Sequence, residues 1–339
     1  MGQRIAMNFG TAILVGVVGC AAPEPPPPEA TTAADQLITV DLDGSGTDIL
    51  VRWNAGVLTW PGGRQEIDGR LITFDVGRLD EDKEAVALVF GRSKSSPNAE
   101  STAWMLSDDG LLPIAYRATR FSDAQVVQDG LTLTSAEKNK QTKTVAVNSG
   151  GVRELTRSVM GLKARLIDVS GTVAVGRLYG DKPRSDGGLE IHRVGAPPET
   201  IETVRGVRSL AVGDVDGDGN ADLVYADGWH FQYAKKGEAL LAVLPGPDFR
   251  TPIRIGQVSG SYSIDAVEVV RPGQLLVSAT SSIVLFQSTS LGWTQKTLSP
   301  RMGSGVPIVW TSAGRGLNRQ VSRWVVFGND DQPTLRIDQ

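Results

Sequence analysis

The sequence predicts an all-β protein, and three observations lead to that fold class. Short runs of valine, leucine and isoleucine are broken at close intervals by glycine, aspartate, serine and proline, which is typical of strands joined by turns. The chain contains 39 glycines, and no convincing helix of ten residues interrupts the apolar runs after residue 35. The third observation is that these runs recur as a unit.

The repeated unit consists of a first strand, a short turn, an apolar second strand and a third strand led by small residues. Units begin about 35 to 55 residues apart, which is the size of a four-stranded propeller blade. The predicted strands of the seven units are 37–41, 48–52 and 56–60; 73–77, 85–90 and 101–106; 124–127, 130–134 and 142–147; 164–167, 172–175 and 189–193; 209–213, 223–225 and 229–233; 266–269, 274–277 and 283–286; and 307–310, 323–327 and 334–337.

One such unit cannot bury both of its faces, so we predict that the units pack radially into a closed ring. The predicted fold over residues 36–339 is a single seven-bladed β-propeller with four-stranded antiparallel blades. Blade counts of six and eight are the alternatives, because the third and seventh units match the repeat pattern weakly. The competing architectures are a sandwich pair and a β-solenoid, whose rungs would be shorter and more regular. No fourth strand fits after Ile337, so we expect residues 32–36 to complete the last blade.

A nine-residue loop, 214–222, carries four carboxylates at positions 1, 3, 5 and 9 between two predicted strands. Calcium takes six to eight oxygen ligands, and glycines at 217 and 219 permit the tight turn that brings side chains together. The predicted metal ligands are Asp214, Asp216, Asp218, Asn220 through its carbonyl, and Asp222. An EF-hand is excluded, because its position 12 requires a bidentate glutamate and Tyr225 stands there.

This loop, with its flanking strands over 212–225, resembles the FG-GAP repeat of integrin type, also called the VCBS repeat. The pattern of that family is a strand, then D-x-D-G-D-G-x-x-D, then an apolar strand. The resemblance implies a β-propeller blade with structural calcium in the turn between its first two strands. Over the rest of the chain the resemblance is degenerate.

A shortened relative of the loop lies in the first unit, with Asp41, Asp43, Ser45 and Asp48 as a possible weak second calcium site. Serine replaces the carboxylate at position 5, and the closing aspartate comes one residue early. An Asp/Gly turn whose side chains bond the local backbone explains this sequence equally well.

The first nineteen residues predict a signal peptide, with Arg4 in a charged segment and a short apolar run at 11–18. Val17-Val18-Gly19-Cys20 resembles the lipobox of bacterial lipoproteins, which implies a diacylglycerol thioether on Cys20. An ordinary secretory signal is the alternative. Cys20 is the only cysteine, so no disulfide within the chain is possible. The residue after it is alanine and not aspartate, which favours the outer membrane of a bacterial envelope.

Residues 20–35 comprise the lipidated cysteine and a proline-rich tether, for which we expect extended polyproline II structure. The formal charge is −4, or about −5 once Arg4 is removed with the signal. No polybasic face is visible, so nucleic acid is excluded as a partner. The predicted partners are the membrane, through the anchor, and a protein or glycan.

No catalytic motif was found. The only histidines, His192 and His230, fall on predicted third strands about one blade apart, and we interpret them as strand side chains. The sequence therefore favours a non-catalytic, calcium-binding adhesion or scaffold module of the cell envelope. The alternative is a polysaccharide lyase or hydrolase with its active site in the propeller funnel.

Overall fold

The structure is a computed structural model. It describes residues 36–339 except for 55, 81, 92–99, 138–140, 160, 169, 178–187, 202–205, 228–239, 259–263, 280–281, 301–307, 311–322, 328–334 and 338–339. The predicted signal peptide, Cys20 and the tether lie outside the described residues. Within them, no helix is long and apolar enough to cross a membrane.

Seven antiparallel sheets follow one another along the described chain, each built from consecutive strands, and we number them one to seven. The strands of sheets one to three are β1 (Gln36–Val40), β2 (Ile49–Asn54), β3 (Val57–Trp60) and β4 (Gly63–Glu66); β5 (Arg70–Arg78), β6 (Glu84–Gly91), β7 (Thr102–Ser107) and β8 (Gly110–Pro113); and β9 (Arg120–Val127), β10 (Gly130–Ala136), β11 (Gln141–Asn148) and β12 (Gly151–Val159).

Sheets four to six also have four strands each, and sheet seven has three. Their strands are β13 (Gly161–Leu166), β14 (Val173–Arg177), β15 (Gly188–His192) and β16 (Glu199–Ile201); β17 (Val207–Gly213), β18 (Asp222–Asp227), β19 (Leu240–Leu244) and β20 (Ile253–Gln257); β21 (Ile264–Arg271), β22 (Gln274–Ala279), β23 (Ser282–Thr289) and β24 (Gly292–Pro300); and β25 (Ile308–Trp310), β26 (Arg323–Phe327) and β27 (Leu335–Ile337).

The first strands of neighbouring sheets contact each other, in the pairs β5 with β9, β9 with β13, β13 with β17 and β17 with β21. The first strand of the chain, β1, also contacts β25 in the last sheet. Radially packed four-stranded sheets of this kind are the blades of a β-propeller. The predicted all-β propeller is confirmed, with six complete four-stranded blades where seven were predicted.

The core lies between the sheets, as β6 illustrates. Val86, Leu88 and Phe90 pack in a cluster with sheet one, whereas Ala85 and Ala87 pack in a cluster with sheet three. Side chains alternate between the faces of a strand, so a strand buried on both faces must be apolar at nearly every position. This is why second strands were the clearest part of the sequence pattern.

Three features differ from the sequence prediction. The third strand of sheet five is Leu240–Leu244, which pairs with β18; the predicted strand 229–233 lies outside the described residues. The apolar run Leu-Leu-Ala-Val-Leu suits a strand buried between two blades better than the sequence Trp-His-Phe-Gln-Tyr of 229–233 does. Gln36 pairs with Trp53 in sheet one, so it does not extend sheet seven, and 32–35 lie outside the described residues. The fourth strands of sheets one to six were not among the predicted strands, because one side of each faces solvent; they are β4, β8, β12, β16, β20 and β24.

Candidate metal centre

The 214–222 loop joins β17 to β18 on one face of the propeller. We call this the loop face and define it by the turns between the first and second strands of sheets one to six: 41–48, 79–83, 128–129, 167–172, 214–221 and 272–273. In the 214–222 loop, Gly217 and Gly219 have φ angles of +86° and +87°. Both values lie in the left-handed region, which side chains other than glycine rarely adopt.

The loop brings three carboxylates together. One oxygen from each of Asp214, Asp216 and Asp218 lies within 4.8 Å of the others, and these residues form the candidate metal group found in the described part of the chain. Asp214 is half-buried, while Asp216 and Asp218 are exposed. Hard oxygen donors at this spacing suit calcium.

Backbone amides shape the group. Asp214 accepts hydrogen bonds from Gly217 N (2.7 Å) and Gly219 N (3.1 Å), so the turn curls around its carboxylate. The exposed Asn220 donates to Asp218 from its backbone N (2.7 Å) and from Nδ2 (2.9 Å). The ligand that the sequence predicts from Asn220 is its backbone carbonyl.

Asp222, the fourth predicted carboxylate, is placed differently. It is 1% exposed and is not in the group of converging oxygens. Its Oδ2 accepts from Val215 N and its Oδ1 from Gly246 N, each at 2.8 Å. The carboxylate thus joins the beginning of the loop to the turn between β19 and β20.

The electrostatics of the group reflect its crowding. The Asp218 amide lowers the pKa of Asp216, but burial and the negative charges of Asp222, Asp218 and Asp214 outweigh that hydrogen bond, so the net pKa is raised. Hydrogen bonds from Asn220 lower the pKa of Asp218. The ionised form of Asp216 is therefore disfavoured by its neighbours, which is the repulsion that a bound cation would relieve.

The first loop is organised less favourably for a metal. Asp41 is buried, and its Oδ2 accepts from Gly46 N at 2.8 Å, while its Oδ1 has no hydrogen-bond donor in the described part of the chain. Burial raises the pKa of Asp41. Asp43 and Ser45 are exposed and accept from the amides of Ser45 (3.0 Å) and Thr47 (3.3 Å) respectively, and Asp48 is half-buried. Among the described residues, this loop does not bring three carboxylate oxygens together within 4.8 Å, as the 214–218 group does.

The loop face as a whole is acidic. In its described turns the only cationic side chain is Lys83, and it forms an ion pair with Asp108. The aspartates of these turns are Asp41, Asp43, Asp48, Asp80, Asp82, Asp129, Asp168, Asp214, Asp216 and Asp218. A surface of this charge attracts cations and positively charged partners.

Two polar clusters lie away from the loop face turns and were missed by sequence reasoning. In one, Asp123 on β9 is fully buried and accepts from Lys163 Nζ (2.9 Å), Ala164 N (3.1 Å) and the Arg165 guanidinium. Asp75 on β5 lies 3.9 Å from the same guanidinium. The cluster joins the first strands of sheets two, three and four. Burial raises the pKa of Asp75 to about 6, against the lowering effect of Arg165.

The second cluster contains His192 and lies between sheets three and four. Nε2 of His192 is 2.9 Å from Glu190 Oε2, and Nδ1 contacts the Thr156 hydroxyl. Ser158 donates to Glu190 at 2.6 Å, and Arg177 pairs with it at 3.1 Å. His192 is a strand side chain as predicted, but it is partnered and nearly buried. His230 lies outside the described residues.

Comparison with known proteins places the fold but not the family. No family model matches the chain, and no curated protein matches it. The Dos1 propeller is 10% identical with a TM-score of 0.51, covering 88% of this chain and 79% of that one. A chain of the mitotic checkpoint complex is 12% identical with a TM-score of 0.51, covering 96% and 100%.

The β-propeller domain of the trilobed protease from Pyrococcus furiosus is 11% identical with a TM-score of 0.47, covering 90% of this chain and 93% of that chain. Identities this low show the fold alone. The chain is a β-propeller. The resemblance of its 214–222 loop to the FG-GAP or VCBS repeat remains a prediction from the sequence.

Proposed function

We propose that this protein is a lipid-anchored, calcium-stabilised β-propeller of the bacterial cell envelope that acts as a non-catalytic binding or scaffold module. The observation that carries the proposal is the convergence of the Asp214, Asp216 and Asp218 carboxylates within 4.8 Å. Propellers present loops at both faces of a rigid ring, and such loops serve binding more often than stability.

The donor set fits calcium better than other biological cations. Carboxylate and carbonyl oxygens suit hard cations, whereas zinc and copper sites use histidine or cysteine. Asp214, Asp216, Asp218 and the Asn220 carbonyl would hold the ion, with Asp222 as the further ligand that the sequence predicts and water completing the shell. A bound calcium would supply positive charge that offsets the repulsion on Asp216. Magnesium demands octahedral geometry and holds its waters, so it fits the loop less well.

The direction of strand β1 supports the proposal that the loop face is available to a partner. Strand β1 runs from Gln36 to Val40 and leads directly into the 41–48 turn, so its Gln36 end lies at the opposite face. The described chain therefore enters the propeller at the face away from the acidic turns. We propose that the loop face is the one offered to a protein or glycan partner, and that the anchor lies in the outer membrane.

Calorimetric titration of the purified mature chain with calcium tests this proposal. We expect one dominant site with a dissociation constant of about 0.1–1 mM, the range of extracellular modules. Matched titrations with magnesium and of the Asp218→Ala variant should both give much weaker binding. If the wild-type chain gives no heat with calcium and no change in melting, the calcium part of the proposal fails.

A polysaccharide lyase or hydrolase is the second candidate, because a titratable cluster lies on first strands. Asp75 has a raised pKa of about 6 and is 23% exposed beside Arg165. Perturbed carboxyls are frequent in active sites. However, Asp123 is fully buried, and its negative charge is paired with Lys163 and Arg165. Release of reducing ends or unsaturated products from anionic polysaccharides, lost in Asp75→Asn but not in Asp109→Asn, would favour the enzyme.

A further inference from the structure

The interfaces between neighbouring blades differ in how many apolar side chains they bury. The cluster of sheets five and six has fourteen buried apolar residues, those of sheets one and two and of sheets four and five have twelve each, and that of sheets two and three has ten. Between sheets three and four, the described residues provide three, Ala164, Val173 and Val175. Apolar burial is the main force that joins blades, so this interface depends on other contacts.

The side of sheet three that meets sheet four is polar although it is buried. Leu131 and Leu133 of β10 pack in the cluster with sheet two, and because side chains alternate along a strand, Thr132 and Thr134 lie on the opposite side. Six hydroxyl side chains, each no more than 8% exposed, form this surface, which we call the threonine face: Thr132, Thr134, Thr142, Thr144, Thr156 and Ser158.

Hydrogen bonds take the place of apolar packing on the threonine face. The hydroxyls of Thr134 and Thr144 bond each other across two strands at 3.2 Å. Thr142 donates to the carbonyl of Gly161 in sheet four at 2.9 Å. Hydroxyls of this kind bond equally well to water, so their net contribution to stability is small.

Polar contacts also join the first strands of the two sheets. Asp123 on β9 accepts from Ala164 N on β13 at 3.1 Å, and Gln125 accepts from Leu166 N at 2.7 Å. Two amides of sheet four are therefore satisfied by side chains of sheet three, and they lose these acceptors if the sheets part.

A charged group joins the strands farther out. Ser158 on β12 donates to Glu190 on β15 at 2.6 Å, and Arg177 on β14 pairs with the same carboxylate at 3.1 Å. The buried Nε of Arg177 has no hydrogen-bond partner in the described part of the chain. Water entering between the sheets could satisfy this atom and the hydroxyls, whereas water entering an apolar interface finds no such partners. Opening this interface should therefore cost less free energy than opening the others.

We propose that the interface between sheets three and four is a polar seam at which the ring opens in the native state while the blades on both sides stay folded. Of the five interfaces between sheets one and six, this one parts first. Its contacts extend from β9 and β13 to β12 and β15, so the polar seam opens as one unit. Opening admits solvent to the threonine face and to the buried Asp123, which the closed ring excludes.

Hydrogen exchange resolved by NMR on the purified chain tests the proposal, because the amides of Ala164 and Leu166 have their acceptors on sheet three. The amide of Val126 is the matched probe of the interface between sheets two and three, since it donates to Asp75 at 2.8 Å. In the wild type we expect Ala164 and Leu166 to be at least about tenfold less protected than Val126, because partial openings expose only part of a fold. Equal protection of the three amides would overturn the proposal.

Glu190→Gln tests whether the polar seam opens as one unit. The change removes the charge that pairs with Arg177, far along the blade from β13. Since a hydrogen bond to a charged group is worth a factor of about ten or more, the protection of Ala164 and Leu166 should fall by a further factor of about ten. Val126 should keep its wild-type protection. Unchanged protection of Ala164 and Leu166 in this variant would overturn the proposal.

Two further variants complete the experiment. Glu154→Gln is the matched control, because its ion pair with Lys143 lies within sheet three, and it should leave all three amides as in the wild type. If Glu190→Gln does not fold, the double variant Thr134→Val and Thr144→Val replaces both partners of a buried hydrogen bond by apolar groups of the same shape. It should raise the protection of the two sheet-four amides, and protection that stays at the wild-type level would contradict the polar seam.

Discussion

The carboxylate of Asp75 on β5 accepts a hydrogen bond from the backbone amide of Val126 on β9, at 2.8 Å. This contact joins the first strands of sheets two and three. Asp123 on β9 makes the equivalent bond to Ala164 N on β13, at 3.1 Å. Side chain to backbone bonds between successive first strands therefore add to the apolar packing that holds blades two to four together.

The raised pKa of Asp75 predicts how stability changes with pH. Its folded pKa is about 6, against roughly 4 for an unfolded aspartate. A raised folded pKa contributes stability that is present below about pH 4 and is lost as the pH rises through 6. The amide introduced by Asp75→Asn resembles the protonated acid, and its oxygen can still accept from Val126 N. Relative to wild type, Asp75→Asn should therefore gain up to about 3 kcal/mol of unfolding free energy between about pH 4.5 and 7.5.

Urea unfolding at a series of pH values checks this prediction, with Asp109→Asn in an exposed turn as the control. The Asp109→Asn variant should follow the wild-type pH dependence. An unfolding free-energy difference between Asp75→Asn and wild type that stays constant over about pH 4.5 to 7.5 would contradict the raised pKa.

Calcium should stabilise the propeller through the 214–222 loop. With a dissociation constant of about 0.1 mM, calcium at about 1 mM adds on the order of 1.4 kcal/mol. In a chain of this length the melting temperature should rise by a degree or two. Asp218→Ala should remove most of this gain, because it removes one of three converging carboxylates. Asp43→Ala should remove little, because the first loop has no comparable group of three converging carboxylates among the described residues.

Scanning calorimetry with calcium, magnesium and EDTA distinguishes the two loops. Magnesium should give a smaller gain than calcium. Loss of the response in Asp43→Ala, with the response of Asp218→Ala intact, would move the dominant site to the first loop.

Sequence reasoning reached the features that a local pattern encodes. The 214–222 aspartates could be predicted because they lie within nine residues, and β6 because it is apolar throughout. Sequence reasoning could not predict the cluster of Asp75, Asp123 and Arg165, because its members come from three blades and are more than forty residues apart in the chain. Nor could it show that Asp222 is buried and accepts the amides of Val215 and Gly246, whereas Asp218 is exposed.

The lipobox prediction concerns residues outside those the structure describes and is tested in cells. Cys20→Ser removes the only thiol, so no thioether to diacylglycerol can form. We expect that variant to lose fatty-acid labelling and either to leave the membrane fraction or to accumulate unprocessed. Ala21→Asp, which keeps the thiol, should retain labelling and shift the protein toward the inner membrane. Unchanged labelling in Cys20→Ser would rule out the lipoprotein.

Closure of the ring is the remaining prediction, because sheet seven has three strands in the described residues whereas the six before it have four. An unpaired sheet edge exposes backbone groups, and pairing it with the segment before β1 would join the two ends of the chain. Strand β1 already contacts β25 of the last sheet. Deleting 21–30 should leave the melting temperature unchanged, since it shortens only the tether. Deleting 21–35 should lower it by on the order of 2–4 °C if 31–35 pair with sheet seven.

Both deletions keep Cys20 and β1, so the comparison isolates the five residues in question. Equal melting of the two variants would mean that sheet seven ends at three strands and that the ring closes through the β1–β25 contact alone.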